Sequence, residues 1–129
     1  MSFGIKRTPA DKYFSDYVRE LADYVCERCG DEYERGSIPG IELSHFWSRS
    51  NKSVRWDLEN AAALCRNCHQ YFTDHQVEHS EWFLDRLGND AVKALERRAR
   101  TPAKIDEKEV AAKYKQMLTD LKDSRRGLR

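Results

Sequence analysis

Two cysteine pairs constrain this chain more than any other feature: Cys26 and Cys29, then Cys65 and Cys68, each pair with two residues between its members. That spacing lets a tight turn bring both sulfurs of a pair onto one ion, and two such pairs make a complete tetrahedral set. Two disulfides or unrelated free thiols are the alternatives. The choice depends on compartment. No apolar run is long enough for a membrane span, and no hydrophobic signal-peptide core lies near Met1. The expectation is therefore a reducing cytosol and no membrane, where four cysteines serve as thiolate ligands of a structural zinc.

A metal would matter to a chain of this make-up. Its 129 residues are 40% apolar and 35% charged, which suits one domain with a small core that zinc would support. The net charge of +1 hides a strong asymmetry. Asp11 to Arg35 carries eight acids against four bases, whereas Lys93 to Lys104 carries five bases against one acid. Such a division suits a protein with one face toward nucleic acid, although solvated helix faces look similar.

The chain reads as mostly helical. Met1 to Thr8 forms a loose basic arm, and Thr8-Pro9 starts a helix over 8–25 whose apolar stripe is Phe14, Tyr17, Val18, Leu21 and Val25. Gly30 to Gly40 is turn-rich, and Ile41 to Trp47 is a short strand. Val54 to Leu58 returns as a second strand or as irregular chain. Tyr71 to Leu87 suggests one broken helix or two short ones, stopped at Gly88-Asn89. Asp90 to Arg100 is a further helix, broken by Thr101-Pro102. Asp106 then caps a final helix with the stripe Val110, Tyr114, Met117, Leu118 and Leu121, and Ser124 to Arg129 is a frayed basic end. The division is 8–25 for the first helix, 26–87 for a zinc-stabilised core, and 88–129 for the C-terminal helices and tail.

Three polar residues lie among the cysteines. Fourteen residues separate His45 from Asn60, and eight separate Asn60 from His69, which follows Cys68 directly. Histidine titrates near neutrality and suits acid–base work, whereas an asparagine amide can only hold structure by hydrogen bonds. This frame beside paired cysteines resembles the HNH endonucleases, whose core is a ββα-metal unit. Ala10-Asp11-Lys12-Tyr13-Phe14-Ser15, Cys26-Glu27-Arg28-Cys29-Gly30, Ser44-His45-Phe46 with Arg49, and Arg55-Trp56-Asp57 with Asn60 extend the likeness to the phage recombination nucleases of the NinG (Rap) type. Those phage proteins usually carry Asn at the position of His69, and many other HNH enzymes carry His.

The resemblance implies an α+β, mainly helical fold: a small ββα-metal core with a four-cysteine zinc site, flanked by N- and C-terminal helices. It makes His45 the general base and His69 a ligand of a second divalent cation, magnesium or manganese, with other divalent metals admissible. A closed thiolate site cannot do that work, because it leaves no open coordination position. Many HNH enzymes place an acid or histidine before the base, but this chain has Ser44, a weak donor. Glu42, His75 and His79 are candidates for the missing ligand, with His75 preferred for its closeness to His69 in the chain. Arg49, Lys52 and Arg55 are the expected contacts to DNA phosphates.

The expected activity is metal-dependent hydrolysis of DNA phosphodiesters. The phage likeness adds branched recombination DNA as substrate, nicking at each active site, and a bacterial host cytosol. Symmetric cutting of a junction would need two sites and hence a homodimer. One rival is a zinc-dependent DNA-binding module without catalysis, and another is a zinc-stapled protein-interaction module.

Overall fold

The computed structural model describes residues 5–127. The expected arm over 1–8 and the basic end over 124–129 fall partly outside them. Helix α1 (Pro9–Leu21) begins as the local rules require. Thr8 accepts a bond from the Asp11 amide, and the Asp11 carboxylate accepts one from the Thr8 amide at 2.8 Å. The helix ends four residues short of the expected Val25. Asp23 and Tyr24 adopt left-handed backbone angles, φ 56° and 57°, which no helix can continue through. Leu21, expected in the apolar stripe, is 48% exposed, and Val25 instead bridges Glu32.

The sheet has two antiparallel strands, β1 (Ile41–His45) and β2 (Ala61–Cys65), paired from Ile41↔Cys65 to His45↔Ala61. The second strand is thus not 54–58, which is irregular chain leading into a 3-10 turn at Leu58–Asn60. Every residue of β2 is buried. Its run of three alanines and Leu64 is buried against α1, α2 and β1, so packing overrides alanine's poor strand preference.

Four further helices follow: α2 (Arg66–Asp74), α3 (Gln76–Leu87), α4 (Asn89–Arg100) and α5 (Glu107–Arg125). Gly88, at φ 88°, makes the turn between α3 and α4. Asp106 caps α5 by accepting from the Lys108 and Glu109 amides. The buried residues of α1, β2 and α2 join Phe83 and Tyr114 in the main core, while Val54, Leu95 and Ala99 form a smaller one beside Phe46 and Trp47. Helices α1 and α5 pack along each other. Tyr114 meets Phe14 edge-on at 4.9 Å and donates to the Trp56 carbonyl at 2.8 Å. At the far end the fully buried Glu20 carboxylate binds both Arg35 and Arg125. Among the described residues no helix is long and apolar enough to cross a membrane.

Candidate active site and metal centre

The cysteine pairs meet at the Cys65 end of β2. After Cys26 the chain turns back, the Gly30 amide bonding the Cys26 carbonyl at 2.9 Å. Glu27 ties this turn to the strand: its amide donates to the Ala63 carbonyl at 2.9 Å, and its carboxylate accepts from the Ala63 amide at 2.6 Å. Cys65 ends β2 and caps α2, so Cys68 lies in the first helical turn. All four sulfurs lie within 4.8 Å of one another, with Cys29 and Cys65 at 3.8 Å. Tetrahedral thiolates at about 2.3 Å from a zinc ion stand about 3.8 Å apart, so the donor set fits such an ion.

The thiols also need a cation electrostatically. Burial opposes ionisation of Cys26, yet the backbone amides of Cys29, Cys65 and Arg28 bring its pKa down to about 7. The Asp31 amide favours the Cys29 thiolate, but burial and the thiols of Cys26, Cys65 and Cys68 push that group up to about 12. Without a cation, one thiolate prevents the next. Arg28 supplies part of the compensation from outside, donating to the Cys68 sulfur at 3.5 Å while lying over the Tyr71 and Phe72 rings.

His45 closes β1 at the other end of the sheet. Its Nε2 lies 3.0 Å from the Arg55 carbonyl. A carbonyl only accepts, so this partner assigns the proton to Nε2 and leaves the Nδ1 lone pair free. Burial lowers its pKa to about 4, outweighing the Arg55 carbonyl, which favours the protonated ring. At neutral pH His45 is therefore an uncharged base.

Asn60, fully buried, has its whole amide committed. Its oxygen accepts from the Trp47 amide at 2.6 Å, and its nitrogen donates to the carbonyls of Trp47 and Val54, each at 3.0 Å. These bonds clasp both ends of the loop 47–54 that follows His45. His69 stands on α2, its Nδ1 2.8 Å from the Glu42 carboxylate of β1. The acid accepts from Nδ1–H and leaves Nε2 free for a cation, the usual second partner of a metal-binding imidazole.

Residues 26–75 match the family model described as HNH endonuclease. No curated protein and no solved structure matches the chain. The matched segment contains the cysteine quartet together with His45, Asn60 and His69.

The remaining candidates fare differently. His75 is exposed between α2 and α3, stacked on Tyr71 at 4.0 Å with Nδ1 2.8 Å from the Tyr71 carbonyl. Glu42, rather than the preferred His75, is the group against His69. His79 sits among Phe46, Phe72 and Phe83, its pKa lowered by burial and then by the charge of His69. Among the described residues, the four cysteines are the only cluster of three or more metal-ligating side chains.

Of the three expected phosphate contacts, Arg55 needs correction. Arg55 is 4% exposed and grips the Asp11 carboxylate with Nε at 3.0 Å and Nη2 at 2.6 Å. It cannot reach a phosphate without abandoning a buried acid. Arg49 also leans on Asp11, at 3.4 Å, and Lys52 pairs with Glu107 at 2.9 Å. Asp11 is the residue that sequence reasoning missed. Burial alone would raise its pKa, but Arg55, the Thr8 amide and Trp56 hold it at about 2. Its only local signal was the capping position three residues after Thr8.

Proposed function

We propose that the protein is a metal-dependent DNA endonuclease in which His45 is the general base. The observation that carries this reading is the bond from His45 to the Arg55 carbonyl inside the HNH segment. It leaves a neutral imidazole with one open lone pair, the form needed to take a proton from an attacking water. Asn60 keeps the base's loop in one conformation and takes no proton itself. His69, backed by Glu42, would hold a divalent cation, which supplies Lewis-acid stabilisation of charge on the scissile phosphate and departing oxygen. The cysteine quartet takes zinc and has a purely structural part.

The likeness to phage recombination nucleases supports a finer reading: branched DNA as substrate, one nick per active site, and a dimer where two strands are cut. Ser44 favours a second reading, a zinc-dependent DNA-binding module without catalysis, because it is a weak donor where many HNH enzymes have a strong ligand. Relaxation of supercoiled plasmid with magnesium or manganese, and none with EDTA, separates the two. We expect His45→Ala to slow nicking by about 10²- to 10⁴-fold while DNA binding persists. Undiminished cleavage by that variant would remove His45 as the base. DNA binding without nicking under any metal would favour the second reading.

A further inference from the structure

The basic side chains expected to face DNA beside His45 are all occupied by acids, Arg49 and Arg55 by Asp11 and Lys52 by Glu107. The buried Asp11 carboxylate holds Arg55 firmly, whereas the exposed Lys52–Glu107 pair is weak and can exchange. Two other cations lie close by. Lys6 and Arg7 are exposed, and neither side chain has a hydrogen-bond or ion-pair partner among the described residues.

Arg55 links these cations to the base. Its carbonyl accepts from His45 Nε2 at 3.0 Å, and its guanidinium donates to the Lys6 carbonyl at 3.0 Å. On the other side of Arg7, the Thr8 amide bonds the Asp11 carboxylate that Arg55 also grips. The backbone is therefore anchored at residues 6 and 8, next to the residue that orients the base. The two charged side chains project from a fixed segment, so little backbone entropy remains to be lost when they meet a ligand. Other partnerless exposed cations, such as Arg66 on α2 and Lys93 and Arg97 on α4, make no contact with this bracket.

We infer that Lys6 and Arg7 form a phosphate-contacting arm, clamped by Arg55 beside the catalytic histidine, that grips the DNA backbone without regard to sequence. The inference rests on the nuclease reading for the identity of its ligand. It assigns Arg55 to positioning and the two residues before Thr8 to contact.

Fluorescence anisotropy with a short labelled DNA duplex in EDTA tests the arm apart from catalysis. We expect Lys6→Ala/Arg7→Ala to bind about 5- to 30-fold more weakly at low salt, with the salt slope of log K shallower by about 1 to 2. Charge reversal, Lys6→Glu/Arg7→Glu, should lose more. Lys93→Ala/Arg97→Ala should stay within about twofold of the parent in affinity. Both residues are exposed, and an unchanged thermal melt excludes misfolding as the cause. Parental affinity and slope in the alanine and the glutamate variants, with the parent binding and nicking DNA, would overturn the arm and leave the nuclease reading standing. A parent protein that neither binds nor nicks DNA would overturn both.

Discussion

The two ends of the small sheet are secured by different chemistry. At the Ile41–Cys65 end four thiols gather, three of them buried and Cys29 exposed to solvent. At the His45–Ala61 end no thiol is present. Asp11 of α1 interlocks there with Arg55 and Trp56, and all three are buried. A metal staple needs only its ligands and tolerates water nearby. The ion pair at the other end is held away from water, and burial likewise keeps His45 uncharged. The charged network thus holds the end that carries His45, the base of the proposed reaction.

If that contrast holds, removing the metal should have the largest effect. Structural zinc contributes about 10 kcal/mol or more in small domains. Cys65→Ser, or prolonged chelation of reduced protein, should abolish cooperative unfolding followed by circular dichroism. Elemental analysis should find about one zinc per intact chain. A cooperative melt in zinc-free, reduced protein would mean that the thiol end is not a staple.

Breaking the charged end should cost less but still a great deal. Arg55→Ala leaves Asp11 buried without its main partner, which costs about 3–5 kcal/mol, readable by urea denaturation. A loss below about 1 kcal/mol would show that water or Arg49 takes over, and that this end is wetter than its geometry implies.

The smallest effect is a pH dependence specific to that end. The folded pKa of His45, at about 4, lies below the ordinary 6.5, so the unfolded chain binds the extra proton between those values. Stability should be complete above about pH 6.5 and fall as pH drops toward 4, by up to about 3 kcal/mol from this residue. Asp11, at about 2, stays ionised throughout that window. Thiol protonation also weakens the metal end in acid, so the useful quantity is the difference between the parent and His45→Ala across the window. Parallel stability curves for the two would mean that His45 is not held neutral by burial.

What was legible in the chain was local. Thr8 and Asp106 announced their helices, because a cap needs only residues within one turn. Each cysteine pair was readable for the same reason, its two members lying within one turn of each other. The end of α1 was not, since Leu21 and Val25 keep helical spacing although the backbone reverses between them. Strand β2 was hidden by its alanines, which have no alternation to show. Arg55 was misread because its partner lies 44 positions upstream, and sequence cannot distinguish a buried guanidinium from a free one. His75 drew attention by closeness in the chain, whereas the β1–α2 packing brings Glu42 to His69 from 27 positions away.

The clasp made by Asn60 has a further meaning for how the molecule ages. Side-chain amides hydrolyse slowly to carboxylates, and at an exposed asparagine the change adds a charge that water absorbs. At position 60 the new oxygen would face the carbonyls of Trp47 and Val54, turning two attractions into two repulsions where no solvent reaches. The loop beside His45 would then be pushed open from within, but the same absence of water slows the hydrolysis, so the clasp shields the amide on which it depends.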